Sequence, residues 1–186
     1  MERDRGHRIC KERTGSMGGI ERKCREFLGR YSTLGLDTMP FIYHFEENED
    51  YLPFTRVLFE LIEDGRIEGK TSVITRLEIL VKPKEDGDEL LVDEYRLILE
   101  NFPHLEVIPV DTEVADLASV IRSKYKLRTP DAIQLATSIL KGAQAFVTND
   151  ESLKKVKEIE SVVMREVLKC VCSKNSDTKR GDGKGT

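Results

Sequence analysis

Short apolar runs of strand length alternate along this chain with longer segments in which apolar residues recur at helical spacing. Helical spacing is clear in residues 51–65 and 112–127. The strand-like runs are residues 32–36, 68–75, 105–110, 144–148 and 162–167. The segment TRLEILVKP is expected to form a short helix that ends at Pro83. Strands that alternate with helices of this length are joined by right-handed crossovers and pair mainly in parallel. We therefore predict an α/β fold of three layers, in which a mainly parallel central sheet is flanked by helices on both faces.

The chain has enough residues for one domain of ordinary size with polar ends. It contains 186 residues, of which 39% are hydrophobic, and the core-forming pattern runs from residue 18 to residue 168. Residues 1–17 and 169–186 are polar and rich in basic side chains. We predict one domain over residues 18–168, preceded by a disordered basic extension and followed by a disordered tail.

The charge of the central part limits how the protein can bind nucleic acid. Residues 31–168 carry 16 Lys or Arg and 27 Asp or Glu, whereas both ends are basic. This acidic balance argues against binding through bulk positive charge, but a local basic strip or a bound metal ion can still hold phosphates.

The sequence shows no sign of a membrane location. Its apolar runs are far shorter than the roughly 20 residues that span a bilayer, and residues 1–15 lack the apolar stretch of a secretory signal. We expect a cytoplasmic protein that does not interact with a membrane.

Four acidic residues lie where strand-like runs give way to a helix or a loop. They are Asp37, Glu78, Asp131 and Asp150. In open α/β sheets the carboxyl ends of the strands form the crevice where ligands bind, so the four side chains are expected at one edge of the sheet. Carboxylates gathered in one pocket repel one another unless a cation is bound or a proton is retained. The pattern therefore predicts a site for a divalent cation.

Each of these acids also has a purely structural interpretation. Thr75 and Glu78 have the spacing of a capping box, in which Glu78 bonds back to the backbone of Thr75. Asp131 near a helix N-terminus would be favoured by the helix dipole. Asp37 and Asp150 each follow a strand, where aspartate commonly forms turns. It is the coincidence of all four that favours a functional site.

The segments LDTMPFIYHF, TSVITRLEIL, LRTPDAIQLATSI and FVTND, in this order, resemble the four acidic motifs of PIN-domain ribonucleases, and most closely those of VapC-like toxins. The resemblance covers about residues 32–166. It implies the PIN-like three-layer fold, a Mg²⁺ or Mn²⁺ site and hydrolysis of RNA phosphodiester bonds. It also implies that Asp37, Glu78, Asp131 and Asp150 are the metal-binding and catalytic acids, with Thr148 as a polar companion near the site.

A basic strip leads along the chain to the third of these acids. Arg122, Lys124, Lys126 and Arg128 precede Asp131 and would be placed to contact the RNA backbone. The alternative is a solvated helix end whose cations complement the dipole. We take Thr148, Arg122, Lys124 and Arg128 as candidate substrate-binding residues.

Other chemistries match the sequence poorly. The three histidines, His7, His44 and His104, do not have the spacing of a metal-binding pair, and the segment GSMGG lacks the Lys-Ser/Thr ending of a phosphate-binding loop. No Ser or Cys lies in a nucleophile elbow. The remaining alternative is a catalytically inactive PIN-like module that binds RNA or a protein partner.

The expected partners are RNA, a second copy of the chain and, if the protein is a toxin, a small antitoxin. The prediction of a homodimer rests on the helical pair in residues 40–64, which has more aromatic residues than one core-facing side requires. These aromatic residues are Phe41, Tyr43, Phe45, Tyr51, Phe54 and Phe59.

Overall fold

A computed structural model describes residues 17–173 of the protein. The five strands form one sheet in the order β3-β2-β1-β4-β5, and every neighbouring pair is parallel. The strands are β1 (Thr33–Leu36), β2 (Glu68–Ser72), β3 (Leu105–Ile108), β4 (Ala145–Thr148) and β5 (Glu160–Val163). The prediction of a mainly parallel sheet is confirmed.

Helices connect the strands and cover both faces of the sheet. They are α1 (Met17–Leu28), α2 (Thr38–Phe45), α3 (Leu52–Glu63), α4 (Val73–Ile79), α5 (Val81–Glu85), α6 (Glu89–Asn101), α7 (Thr112–Tyr125), α8 (Thr129–Leu140) and α9 (Met164–Ser173), with a 3₁₀ turn at Glu151–Lys155. Leu34 and Leu36 of β1 belong to the core under α1, α3 and α9, whereas Phe146 of β4 belongs to the core under α7 and α8. The three-layer prediction is therefore confirmed.

The order of the strands creates a crevice at the carboxyl edge of the sheet. From β1 the chain moves outward to β2 and β3, and it then returns to place β4 and β5 on the other side of β1. The order reverses between β1 and β4, and this switch point is where ligands bind in open α/β sheets. Asp37 follows β1 directly and Asp150 lies two residues after β4.

Gly35 allows α8 to lie unusually close to β1. A Cβ atom at this position would be 2.2 Å from Ser138 Oγ and 2.5 Å from Ser138 Cβ, distances that real contacts do not reach. Any larger residue would push α8 away from the strand. Because Asp131 lies in the first turn of α8, this close approach helps to bring Asp131 to the edge where Asp37 lies.

Two predicted boundaries within the domain are wrong. The strand expected at residues 68–75 ends at Ser72, because the Ser72 hydroxyl accepts a hydrogen bond from the backbone N–H of Ile74 at 3.3 Å and so caps α4. Pro83 does not end that helix but lies within the short helix α5.

Only part of what we predicted for the chain ends falls within the described residues. The last strand-like run, residues 162–167, is β-structure only to Val163, and the chain continues as α9 to Ser173, beyond the expected end of the domain at residue 168. Residues 169–173 therefore complete a helix and do not belong to a tail. The predictions of disorder for residues 1–16 and 174–186 lie outside the described residues. Within residues 17–173, no helix is both long enough and apolar enough to span a membrane.

The aromatic residues of the helical pair fill the protein's own core. Phe41, Tyr51, Phe54 and Phe59 are buried, and Tyr43 and Phe45 pack against the same core. Phe45 also stacks on Tyr95 with ring centroids 4.6 Å apart. The apparent surplus therefore provides no argument for a homodimer.

Candidate metal and catalytic site

Asp37 lies at the junction of β1 and α2 and caps that helix. Its Oδ1 accepts a hydrogen bond from the backbone N–H of Thr38 at 2.8 Å, and its Oδ2 accepts one from the Thr148 hydroxyl at 2.6 Å. Burial raises the pKa of Asp37 to about 6; these two hydrogen bonds oppose the shift, while the nearby charges of Asp131 and Glu78 add to it. Three of the four predicted acids therefore lie within electrostatic range of one another.

Glu78 is held from across the crevice by the first residue of α2. The Thr38 hydroxyl donates a hydrogen bond to Glu78 Oε2, and Thr38 itself is buried. The capping-box interpretation of Thr75 and Glu78 is wrong, because Ser72 caps α4 and Thr75 lies inside the helix. The Glu78 carboxylate therefore bonds to α2 and does not cap its own helix.

A buried polar network fixes the residues behind Asp37 and Glu78. The Gln134 side-chain amide donates to the hydroxyls of Thr38 at 3.1 Å and Thr75 at 2.9 Å, and Gln134 Oε1 lies 3.4 Å from the backbone N–H of Ser72. Thr75 in turn bonds to the Thr71 hydroxyl at 2.7 Å. This network joins β2, α2, α4 and α8 beneath the acids, so it holds their backbones at fixed separations.

Asp131 forms a bidentate ion pair with Arg128, the residue that precedes helix α8. Arg128 Nε and one terminal nitrogen lie 3.0 and 3.1 Å from the two Asp131 oxygens. The Asp131 side chain is 15% exposed, whereas that of Arg128 is 80% exposed. Asp131 raises the pKa of Arg128 most strongly, and the charges of Asp150 and Glu78 also raise it. Arg128 therefore acts as a counter-ion for the acidic site.

Asp150 is linked to Asp37 through a single hydroxyl. Its backbone N–H donates to Thr148 Oγ1 at 3.1 Å, and the same hydroxyl donates to Asp37. The Asp150 carboxylate accepts a hydrogen bond from the backbone N–H of Ser152 at 2.8 Å and caps the 3₁₀ turn, as its turn-forming interpretation predicted. Thr148 is fully buried between the two acids.

The donor set suits a divalent cation although its side chains are not arranged around one point. Among residues 17–173, no three acidic, histidine or cysteine side chains are grouped to coordinate a single ion. Each acid instead faces its own partner, as described above. Carboxylate oxygens are nevertheless the ligands that Mg²⁺ and Mn²⁺ prefer. A bound cation would offset the burial of the Asp37 charge, which is the main cause of its raised pKa, and the smaller repulsion from Asp131 and Glu78. The residues therefore fit such an ion after side-chain rotation.

A family comparison agrees with this arrangement. The profile of the PIN domain matches residues 35–159, which is more than half of the chain and includes all four acids. The chain belongs to the PIN domain family.

Solved structures share the fold of this PIN domain. A toxin–antitoxin complex from Klebsiella pneumoniae contains a chain that is 23% identical, with a TM-score of 0.54, and the match covers 72% of this chain and 98% of that one. VapBC2 from Rickettsia felis, bound to a DNA fragment from its promoter, contains a chain that is 16% identical, with a TM-score of 0.57, over 70% of this chain and 97% of that one. A search of curated proteins finds no match. The predicted resemblance to PIN domains is confirmed.

The basic strip of this PIN domain is divided by the fold. Arg122 and Lys126 line a groove of about 650 Å³ between α7 and α8, together with the hydroxyl residues Ser119, Ser123 and Thr129. Lys124 does not line this groove and pairs with Glu158, with Nζ 2.8 Å from Oε1. Of the candidate substrate-binding residues, Arg128 and Thr148 contact the acids directly, Arg122 lies in the groove between α7 and α8, and Lys124 pairs with Glu158 outside that groove.

Several residues of the PIN site were not predicted from the sequence. Gln134 lies three positions after Asp131, and Thr75 lies three positions before Glu78, so helical spacing places each near an acid. That spacing was a usable signal for both. Asn149 bonds to Tyr43 and Tyr51, which lie about a hundred residues earlier, and no local pattern indicates such contacts.

Proposed function

We propose that this PIN domain is a metal-dependent endoribonuclease that uses Mg²⁺ or Mn²⁺ to hydrolyse RNA phosphodiester bonds. The observation that carries the proposal is that Asp37, Glu78, Asp131 and Asp150, from four separate parts of the chain, act electrostatically on one another or on Arg128 near the switch point of the sheet. A bound cation would offset the mutual repulsion of these carboxylates, which favours a metal site over four unrelated structural roles.

Asp37 and Asp131 are assigned as direct metal ligands. Glu78 and Asp150 would complete the shell, hold a second ion or orient the attacking water. A bound divalent cation would polarise a phosphoryl oxygen and lower the pKa of that water. The hydroxyls of Thr148 and Thr38 hold Asp37 and Glu78 in place.

Basic side chains beside the acids are suited to hold the RNA backbone. Arg128 pairs with Asp131, and Arg122 and Lys126 line the groove between α7 and α8, whose lining includes Thr129 and Ala132 on either side of Asp131 in the chain. The positive charge of these side chains offsets, at this place, the excess of acidic residues in the domain. They would thus supply the local basic strip that an acidic domain needs in order to hold phosphates.

A toxin role with an antitoxin partner is proposed from the solved structures and from one groove. The Klebsiella pneumoniae structure named above is a toxin–antitoxin complex and the Rickettsia felis structure is VapBC2 bound to promoter DNA, and both share the fold of this chain. A groove of about 340 Å³ between α2, α4, α5 and α6 combines apolar side chains with the charged residues Glu46, Glu78, Lys82 and Asp86. A peptide segment of an antitoxin that filled this groove would reach the acids. Its apolar lining residues are Ile42, Phe45, Ile79, Pro83, Leu91 and Tyr95.

We assign the proposed homodimer to a surface other than the aromatic residues of the helical pair in residues 40–64. Leu77 and Val81 are 61% and 45% exposed, and they line one hollow with Leu80. Exposed apolar residues that cluster in this way mark interaction surfaces. Light scattering of the protein before and after Leu77→Glu tests whether this surface holds two copies together.

An inactive module remains the second candidate. The observation that favours it is the absence of three suitably grouped ligands among residues 17–173. In that case the acids would be stabilised by Arg128, Thr38, Thr148 and Ser152 alone, and the protein would bind RNA or a partner without cleaving it.

The deciding experiment is a cleavage assay with labelled RNA in Mg²⁺ or Mn²⁺, with a chelator as the metal-free arm. We expect cleavage by the wild-type protein, none in chelator, and loss of activity in Asp37→Asn and Asp131→Asn. Asp64→Asn is the matched control, because the Asp64 side chain is 58% exposed and lies at the opposite edge of the sheet, before β2. Full activity of pure Asp37→Asn protein would refute the assignment, and inactivity of the wild type on all RNAs would favour the inactive module.

A further inference from the structure

Arg165 lies beside the site, and its hydrogen-bond partners there do not neutralise its charge. It is the second residue of α9, directly after the edge strand β5, and it is exposed. Its backbone N–H donates to Asn149 Oδ1 at 3.2 Å, and its side-chain Nε donates to the Tyr51 hydroxyl at 3.3 Å. The side-chain contact uses only Nε, so neither terminal nitrogen has a hydrogen-bond partner among residues 17–173.

The support for Arg165 is rigid. Asn149 donates from its side-chain amide to the hydroxyls of Tyr43 at 3.1 Å and Tyr51 at 2.9 Å. The two tyrosine rings stack with centroids 4.2 Å apart and an angle of 7° between their planes. Tyr51 is only 6% exposed, so its hydroxyl is fixed by the core. A side chain that bonds to this hydroxyl loses much of the freedom of an ordinary surface arginine before any ligand arrives.

The partners of Arg165 are neutral, which separates it from most cations near it. Arg128 pairs with Asp131, Lys124 with Glu158, and Lys154 with Glu166. Within residues 17–173, Arg165 forms no ion pair, and of its guanidinium donors only Nε has a partner. The unpaired terminal nitrogens form a planar fork that matches two oxygens of a phosphate group. Two neutral hydrogen-bond partners therefore hold Arg165 without pairing its charge, and the nearest acidic influence on it, from Glu151, acts at a distance and not through an ion pair.

Arg165 lies next to the acids on the side opposite Arg128. Asn149 stands between Thr148 and Asp150 in the chain. Burial raises the pKa of Tyr43 and the hydrogen bond from Asn149 lowers it; the charges of Arg165 and Asp37 also act on it, so Tyr43 is within electrostatic range of both. Helix α9 follows β5, beyond β4, whereas α8 packs over β1 and β2. A strand of RNA that crosses the acids would therefore pass from Arg128 to Arg165.

We propose that Arg165 binds a backbone phosphate of the RNA strand beside the scissile bond, and that Tyr51 and Asn149 are positioning residues for it. This inference rests on the proposed nuclease function, because it names how the same site holds its substrate. A phosphate contact positions the strand without reading its bases, so the contribution of Arg165 should be similar for RNAs of different sequence.

The binding test uses fluorescence anisotropy with a fluorescein-labelled single-stranded RNA of mixed sequence, in the full chain carrying Asp37→Asn to prevent cleavage. We expect Arg165→Gln to weaken binding about tenfold and to reduce the slope of log affinity against log salt by about 0.7. Arg66→Gln removes the same charge from an exposed side chain at the opposite edge of the sheet and should change neither quantity appreciably.

A double-mutant cycle separates positioning from a merely structural role. Tyr51→Phe keeps the ring stack and removes only the hydroxyl, so it should weaken RNA binding less than Arg165→Gln does and add nothing in the Arg165→Gln background. An equal loss in both backgrounds would show that Tyr51 acts independently of Arg165 and would overturn its positioning role. Equal melting temperatures of the variants would exclude unfolding as the cause.

The failure of this inference can be told apart from failure of the nuclease proposal. If the wild-type chain cleaves RNA but Arg165→Gln and Arg66→Gln bind RNA with the same affinity and salt slope, Arg165 is not a phosphate contact although the nuclease stands. If the wild type does not cleave but Arg165→Gln still shows the loss, the nuclease proposal fails and the phosphate contact stands. No measurable RNA binding by the Asp37→Asn parent would overturn the inference as well.

Discussion

The two halves of the acidic site are held by different means. Asp37 and Glu78 bond to the hydroxyls of buried threonines, which belong to the polar network around Gln134 and to the end of β4. Asp131 instead pairs with Arg128, whose side chain is 80% exposed. Asp150 accepts a hydrogen bond from a backbone N–H in an exposed turn. The first half is fixed by the core, whereas the second is held by partners that solvent can replace.

This difference indicates which half adapts when an ion binds. Fixing a carboxylate in a buried place makes its charge costly, and the raised pKa of Asp37 reflects that cost. A surface ion pair is weak, because water competes for both partners. We therefore infer that Asp131 and Asp150 rotate toward the metal while Asp37 and Glu78 remain where the network holds them. The predictions below test that division.

The largest effect is expected from breaking the buried network. Gln134→Leu keeps a similar volume but removes the amide that donates to Thr38 and Thr75 and the oxygen near the Ser72 N–H. Buried polar groups that lose their partners are destabilising, and we expect the free energy of unfolding to fall by about 3 kcal/mol. Chemical denaturation measures this change.

The same helix offers a matched control for this substitution. The Thr137 hydroxyl is fully buried and has no hydrogen-bond partner among the described residues. Thr137→Val should therefore leave stability unchanged or raise it slightly, since it removes an unsatisfied group without changing the shape. Equal losses from Gln134→Leu and Thr137→Val would show that packing, and not the network, supports the first half of the site.

The second effect concerns the pH dependence of the metal-free protein. The pKa of Asp37 is about 6 in the folded chain against an ordinary value of 3.8, so the folded state takes up a proton more readily than the unfolded one. Protonation of Asp37 stabilises the folded state. This contribution is fully present below the pKa of Asp37 in the unfolded chain, and it is lost as the pH rises through about 6. Between about pH 7.5 and pH 5, acidification should therefore raise the free energy of unfolding by about 1 kcal/mol through Asp37.

Asp37→Asn isolates this contribution from the other titrating groups. Burial lowers the pKa of His44, and this shift acts in the opposite direction on acidification, but it is present in both proteins. The difference between the wild-type and Asp37→Asn stability curves should thus show the rise assigned to Asp37. Parallel curves over this pH range would contradict a buried, charged Asp37 in the first half of the site.

The sequence predicted the fold well because its strongest signals are local. The alternation of strand and helix periods indicated all five strands and their parallel pairing. The end of β2 was misplaced because Val73 and Ile74 favour strands by composition, whereas the Ser72 cap that starts a helix there depends on a single hydroxyl. Val163 and Met164 pose the same ambiguity at the end of β5.

The positions of the acids could be predicted in part from the sequence, but their partners could not. Asp37 and Asp150 follow β1 and β4, as predicted, and the carboxyl ends of parallel strands share one edge. Glu78 and Asp131 instead lie within α4 and α8, and the helices bring them near that edge. The partners depend on contacts between distant positions, such as Asn149 with Tyr43 and Lys124 with Glu158. No periodicity encodes these pairs, so the divided basic strip and the support of Arg165 became visible only in three dimensions.

A smaller effect is expected from Arg128→Gln, which acts on the second half of the site. Because the ion pair with Asp131 is largely exposed on the arginine side, its loss should change the free energy of unfolding by less than about 1 kcal/mol. Removing the competing cation should tighten the binding of Mn²⁺ severalfold, as measured by calorimetry. Weaker binding of Mn²⁺ would show that Arg128 orders Asp131 for the metal and does not compete with it.

The smallest effect is expected from Lys124→Gln, which changes a basic residue outside both halves of the acidic site. Lys124 lies in the same basic strip as Arg122 but pairs with Glu158 at 2.8 Å and does not line the groove beside the acids. Its charge is already matched, so RNA cleavage should stay within about twofold of the wild type, because an exposed pair contributes little. Arg122→Gln, in the groove, should slow cleavage at low substrate and lose this effect at high salt, because contacts to phosphates are screened. If Lys124→Gln impaired cleavage as strongly as Arg122→Gln, the RNA would have to reach Glu158 and the path from the groove across the acids would be wrong.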